Sequence, residues 1–210
     1  MKKICIVRDD YYHPREVVDP FFDKVFLNQQ YQVTKTDHLK EALSQDIDLL
    51  ILANTGRNDS QEGVTVELRE AVAQRVEQGM GMIFFHSGTV LIEKEDAFFQ
   101  KLNSGRFITH SDGHVNVRTS VIRNVKEHPL LENVGTIEGM DEHYFCEVDE
   151  RKVDILMISS SDCGSSVGAW CSEYGLGKVV VSLPGHTPAI LEDKNLLTFI
   201  KNAVQWTLDK

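Results

Sequence analysis

The 210-residue sequence contains no stretch approaching the roughly 20 apolar residues that a membrane-spanning helix needs. No apolar leader with a cleavage site stands at the N-terminus either; Met1-Lys2-Lys3-Ile4-Cys5-Ile6-Val7 runs straight into a strand pattern. Cysteine is scarce, and Cys5, Cys146, Cys163 and Cys171 lack the paired short spacing of a zinc knuckle or redox motif. Cys5, inside an apolar strand, reads as a core thiol. A reducing, cytoplasmic location is the expectation. Basic charge is also short: 22 Lys and Arg face 32 Asp and Glu, a net charge of −10, which argues against a binder of the nucleic-acid backbone, since that would need a basic face. No membrane partner is expected. Neither a GxGxxG nor a Walker pattern follows the first strand, so a nucleotide cofactor is disfavoured and none is required by the sequence. With no Pro-, Ser- or charge-rich linker and no internal repeat, residues 1–210 read as one domain.

What is present is an alternation of buried strands and amphipathic helices. Lys3 to Val7 is apolar at nearly every position, as a strand covered on both faces must be. Val17, Val18, Phe21, Phe22, Val25 and Phe26 form a helical stripe with Pro20 in its first turns. Tyr31 to Thr36 alternates like an edge strand, Leu39 to Leu43 is a short helix, and Ile47 to Ala53 a third strand. After a polar loop from Asn54 to Gly63, Val64, Leu68, Val72 and Val76 recur at helical spacing up to Gly79. This order predicts an α/β fold with a doubly wound, mostly parallel sheet in three α/β/α layers. Beyond residue 86 the pattern changes: a helix through Ala97, Phe98, Phe99 and Leu102, strands at Arg106 to His110 and Val115 to Arg123, a short turn or helix at Glu127 to Leu131, further strands, and a final helix from Leu196 to Leu208. A β-rich insertion late in the sheet is the economical reading. Trp170 and Trp206 fall in apolar patterns and are assigned to the core.

Four polar constellations interrupt these patterns. The run Gly79 to Thr89 is an apolar strand that stops abruptly on His86, Ser87 and Gly88, where open α/β sheets place their ligands. The competing reading is a histidine that merely caps the next turn. Gly139-Met140-Asp141-Glu142-His143-Tyr144, if extended, sets Glu142 and Tyr144 on one face, suited to acid–base work or to holding hydroxyls. Asp141 and His143 would then share the other face, where a solvated edge strand is an equally good account. A second buried strand ends in Gly185-His186, stiffened by Pro184 and Pro188. His110-Ser111-Asp112-Gly113-His114 offers two histidines, His110 and His114, that could ligate a divalent metal together with His86 or His186. His13, in the loop after the first strand, can line the mouth of the same crevice; His38 and His128 read as helix-start or surface residues.

The segments GMGMIFFHSGT (79–89), SGRFITHSDGH (104–114), EHPLLENV (127–134), MDEHYF (140–145), VGAWCSEYGLGKVVVSLPGHTPAIL (167–191) and FIKNAVQWTL (199–208), in this order, resemble the ThuA-like (trehalose utilisation) family of the class I glutamine amidotransferase-like superfamily. The resemblance spans almost the whole chain. It implies a flavodoxin-like sheet, and loss of the amidotransferase cysteine, with His86 at its position. It also implies a pocket containing His86, Ser87, Glu142, Tyr144 and His186 beside Gly185, and an involvement in using trehalose and related disaccharides. The elbow here reads His-Ser-Gly, whereas His followed by alanine-like residues is more usual in the family.

The leading expectation is a cytoplasmic enzyme acting on a sugar-like small molecule, with His86 and His186 transferring protons or holding a metal, Glu142 as base or hydroxyl acceptor, and Tyr144 as an orienting donor. Ser87, His13 and Gly185 complete the substrate-binding set. The alternatives are a non-catalytic sugar-binding or regulatory domain, and a metal-dependent hydrolase built on His110 or His114. Apolar faces on the insertion could support a homodimer.

Overall fold

In a computed structural model, which describes residues 1–59, 63–122 and 127–209, the backbone of the fold is a five-strand parallel sheet. Strand β1 (Lys2–Val7) alternates Ile4 and Ile6 toward one layer with Cys5 and Val7 toward the other, and all four are fully buried. A strand buried on both faces can be apolar throughout, which is why its period-two signal is invisible in the sequence. Helix α1 (Arg15–Phe26) follows, laying Val18, Phe21, Phe22 and Val25 on the sheet and keeping Pro20 on its exposed side. Strand β2 (Tyr31–Thr36) is the half-exposed edge, and α2 (Leu39–Leu43) leads to β3 (Leu49–Leu52), shorter than the expected Ile47 to Ala53. Helix α3 (Val66–Glu77) begins after Val64 because Thr65 caps it, its side chain accepting the Leu68 N–H at 3.4 Å. Strand β4 (Gly81–Phe85) then enters the centre of the sheet.

The next parallel neighbour of β4 is β11 (Gly177–Ser182), far along the chain. Everything between them is the expected β-rich insertion. It holds a π-helical turn (Phe98–Asn103), then β5 (Gly105–His110), β6 (Val115–Val121), β7 (Ile137–Asp141), β8 (Tyr144–Val148), β9 (Asp154–Ser161) and β10 (Gly164–Tyr174). Strands β10, β9, β6 and β7 extend the sheet antiparallel beyond β11, giving the order β2-β1-β3-β4-β11-β10-β9-β6-β7, while β5 and β8 pair in a separate ribbon. Strand β6 stops at Val121; Arg123, the expected end of this strand, and residues 60–62 of the polar loop lie outside the described residues. The short helices α4 (Pro188–Leu191) and the long α5 (Lys194–Leu208) close the chain.

Two apolar layers result. One joins α1 and α5 to the sheet through Phe21, Phe22, Phe85, Phe199 and Ile200; the other joins α2 and α3 through Leu39, Val72, Phe84, Phe98 and Trp170. Trp170 is fully buried as expected, and Trp206 packs partly buried at the rim of the first layer. Among the described residues no helix is long and apolar enough to cross a membrane.

Candidate functional site

Three parallel strands end at the same edge of the sheet, and a histidine follows each. His13 lies in the loop after β1, His86 opens a 3-10 turn directly after β4, and His186 lies in the loop between β11 and α4. Glu142 comes from the turn between β7 and β8. Ligand atoms of these four residues all lie within 4.8 Å of one another.

The local backbone explains how they meet. His86 takes φ 42°, a left-handed conformation that costs a non-glycine residue roughly 1–3 kcal/mol and is characteristic of functional turns. The turn it opens presses against β3: a Cβ on Gly88 would stand 2.1 Å from the Leu52 carbonyl oxygen. On the other side, a Cβ on Gly185 would fall 2.6 Å from the Phe85 ring and 3.1 Å from the His86 Cβ, so only glycine lets the two histidine loops pack together.

The hydrogen bonds fix which nitrogen each ring presents. The His86 Nδ1 donates to the Leu183 carbonyl at 2.6 Å, leaving the Nε2 lone pair 3.3 Å from the His186 Nδ1. The His13 Nδ1 meets the Asp10 carboxylate at 2.9 Å, leaving its Nε2 3.1 Å from the same His186 nitrogen. Glu142 Oε2 approaches that nitrogen to 3.2 Å. Two imidazole lone pairs and a carboxylate therefore converge on His186 Nδ1, and only one proton can sit there. A carboxylate–histidine pair behind a ligand nitrogen is the usual support of a metal-ligating imidazole.

Electrostatics point the same way. Burial, reinforced by the neighbouring His13, drives the His86 pKa far below the ordinary histidine value, so its ring is neutral. Burial opposes charge on Asp10, but hydrogen bonds from His13, Thr55 and Tyr12 outweigh it and hold this carboxylate well below the usual range. Burial likewise opposes ionisation of Glu142 and of His186, and in both their mutual contact wins: Glu142 is lowered and His186 raised.

Asp141 is completely buried and accepts the backbone N–H groups of Gly185, His186 and Thr187 at 2.9, 2.8 and 3.2 Å. Burial pushes its carboxyl up to about 6 despite these three donors. It holds the His186 loop in place. His143 is equally hidden, bridging Ser161 and Ser166 at 2.7 and 3.0 Å. The solvated-edge account of Asp141 and His143 is thus corrected: β7 ends at Asp141 and β8 begins at Tyr144, so the segment is a buried turn.

Of the other sequence-derived candidates, Tyr144 stacks on His86 with ring centroids 4.1 Å apart, and burial, followed by the nearby Glu142, keeps its phenol protonated. Ser87 is 1 % exposed and its hydroxyl meets no protein partner among the described residues. His114 lies with its ring 5.1 Å from that of His186, whereas His110 bonds the Ser111 carbonyl at 2.7 Å; neither belongs to the four-residue cluster. Asp10 is the residue the sequence reading missed. The pattern Asp10-x-x-His13 directly after a buried strand was the available signal.

A second grouping, His128, Asp154 and Cys171, borders a groove of about 620 Å3 on the far part of the sheet. There His128 Nδ1 accepts the Leu130 N–H at 3.2 Å, so the ring turns an N–H rather than a lone pair toward Cys171 Sγ, 3.6 Å away. That is a helix cap, not a ligand geometry.

Comparison with known proteins bears on the whole chain. The family profile described as ThuA, trehalose utilisation, matches residues 3–207. A ThuA-like protein from Bacteroides uniformis superposes with a TM-score of 0.76 at 18% identity, over 100% of this chain and 92% of that one. Another from Parabacteroides merdae gives 0.74 at 14% identity, over 99% and 90%. A β-galactosidase from Bacillus circulans contains a similar fold, with a TM-score of 0.63 at 13% identity, over 99% of this chain but 30% of the larger one. No curated protein sequence matches. The chain belongs to the ThuA (trehalose utilisation) family.

Proposed function

We propose that the protein is an enzyme that uses a divalent transition-metal cation, held by His13, His86, His186 and Glu142, to act on a carbohydrate, with trehalose-like disaccharides as the first class to test. One observation carries the reading: two imidazoles have their second nitrogens committed to Leu183 and Asp10, so their lone pairs converge with the Glu142 carboxylate on His186 Nδ1. Three imidazoles and one carboxylate suit zinc, iron, cobalt, nickel or manganese better than magnesium or calcium. Such a cation would polarise a sugar hydroxyl or carbonyl oxygen, or activate water. Tyr144, kept as a neutral phenol beside His86, is suited to donate a hydrogen bond to a sugar oxygen. The sugar itself is drawn from the family description. A cytoplasmic location fits four cysteines that form no disulfide.

The 3.2 Å contact between His186 and Glu142 favours a second reading, in which the pair does acid–base work with no cation. Turnover of trehalose, maltose and sucrose by purified protein, before and after chelation and after return of zinc, manganese, iron(II), cobalt or nickel, decides between them. Activity lost on chelation and restored by one cation supports the proposal. Activity indifferent to chelation selects the acid–base reading, and sugar binding without turnover under any condition makes the protein a binding domain.

A further inference from the structure

The loop between β1 and α1 carries two side chains the cation reading leaves unused. Tyr11 is 90% exposed and Tyr12 is 54% exposed. Single exposed apolar residues are ordinary, but here two large rings are adjacent, edge to face with centroids 5.0 Å apart, and Tyr12 lies 6.5 Å from the ring of His13. The loop beneath them is well anchored. Asp10 Oδ1 accepts the N–H groups of both Tyr12 and His13 at 2.9 Å, and the backbones of Asp10 and His13 exchange hydrogen bonds at 3.3 and 3.2 Å. Asp9, in a left-handed conformation at φ 74°, is clasped by the Arg15 N–H at 2.9 Å and by the Arg15 guanidinium. One carboxylate, Asp10, therefore both orients His13 toward the cluster and positions the backbone of Tyr12.

Aromatic rings on an anchored loop lose little entropy on binding and present broad apolar faces with a polar tip. We infer that Tyr11 and Tyr12 form an aromatic subsite that stacks the C–H face of one sugar ring while a neighbouring ring of the same molecule occupies the histidine–Glu142 cluster, an assignment that rests on the carbohydrate reading above. The ligand class is then a disaccharide or longer glycoside rather than a monosaccharide. A sugar suits this surface because Tyr12 adjoins His13, a member of the cluster, with ring centroids 6.5 Å apart, and because a pyranose pairs an apolar face with hydroxyls for the phenol tips.

The test is binding of trehalose, maltose, sucrose and glucose to the cation-loaded full chain, measured by calorimetry, for the native protein and for Tyr11→Ala, Tyr12→Ala, Tyr11→Phe and Tyr12→Phe. Cation content and oligomeric state are followed in parallel. The expected result is a disaccharide affinity reduced at least tenfold by either alanine, largely kept by phenylalanine, with glucose binding nearly unchanged and cation content unaltered. Disaccharide affinity unchanged in both alanine variants overturns the subsite while leaving the cation reading intact; a native protein that takes up no cation overturns that reading instead, and the sugar titrations still judge the tyrosines. Failure of all three disaccharides to bind the native protein overturns the subsite, as does loss of a dimer in the alanine variants, which would give the surface to a second copy of the chain.

Discussion

Asp10 Oδ1 lies 2.9 Å from His13 Nδ1, and this contact decides which nitrogen of the ring faces the other three members of the cluster. Asp10 spends its second oxygen on the Thr55 N–H at 2.8 Å. Replacing it with Asn turns one acceptor into a donor aimed at one of these N–H groups, and frees His13 to present a protonated Nε2. Asp10→Asn is expected to weaken cation binding about 10- to 100-fold, the usual consequence of losing such a supporting partner. A cation titration of the purified variant measures it, with circular dichroism confirming that the fold is kept.

Removing the cluster's own side chains has a different signature. His86→Ala and Glu142→Ala are expected to abolish turnover. Neither side chain contributes to the two apolar layers, and His86 already sits in a strained backbone that alanine does not worsen. The melting temperature of the cation-free protein should move by no more than a few degrees for Glu142→Ala and by more for His86→Ala, which gives up the Leu183 hydrogen bond and the stack on Tyr144. A variant that stays active removes that residue from the mechanism.

Gly185 is where the His186 loop packs against Phe85 and His86. Gly185→Ala drives a methyl into the Phe85 ring at 2.6 Å and toward His86 at 3.1 Å, from a φ of 156°. Overpacking of this kind costs about 1–3 kcal/mol. Because Phe85 is wedged between Phe21 and Phe22, with centroids 5.5 and 5.3 Å away, the ring has little room to yield. The expected outcome is a lower urea midpoint together with weakened cation binding, since the two histidine loops are pushed apart.

The pH dependence follows from His186. Its pKa is raised above the ordinary 6.5 because the Glu142 hydrogen bond and charge outweigh the opposing effect of burial. A raised pKa in the folded state stabilises the protonated form, so this contribution is complete below about pH 6.5 and is lost as pH rises through the higher folded value. Asp141, pushed up to about 6 by burial, acts with the same sign at lower pH. On the cation reading, a bound cation would oppose this trend, because it would compete with the proton for His186 Nδ1. Melting curves between pH 6 and 8 should show a widening gap between cation-loaded and cation-free protein as pH increases. A constant gap would mean that His186 is not displaced from its proton.

The sheet was legible because fully buried strands and amphipathic helices alternate from β1 to β4, and because the strands ending at His86 and His186 carry polar residues that packing does not require. The parallel pairing of β4 with β11 makes those two ends neighbours, which no local pattern reveals. The turn at Glu142 was harder to read. Its residues alternate as a strand does, yet the chain turns there because Asp141 is drawn inward by three backbone donors of the His186 loop. His110 and His114 looked like ligands by residue type alone. The cluster instead takes His13, whose role depends on Asp10, a partner three positions away whose carboxylate could as readily have been a loop capping group. The π-helical turn at Phe98–Asn103, expected as an ordinary helix, ends on Ser104 in a left-handed conformation.

The most direct measurement is nitrogen-15 NMR of the histidine side chains while zinc is added to metal-free protein. Coordination should move His13 Nε2, His86 Nε2 and His186 Nδ1 together, saturating at one equivalent, with the Nδ1 protons of His13 and His86 retained toward Asp10 and Leu183. Zinc that leaves these three rings untouched, or that shifts His110 and His114 in their place, would contradict the site.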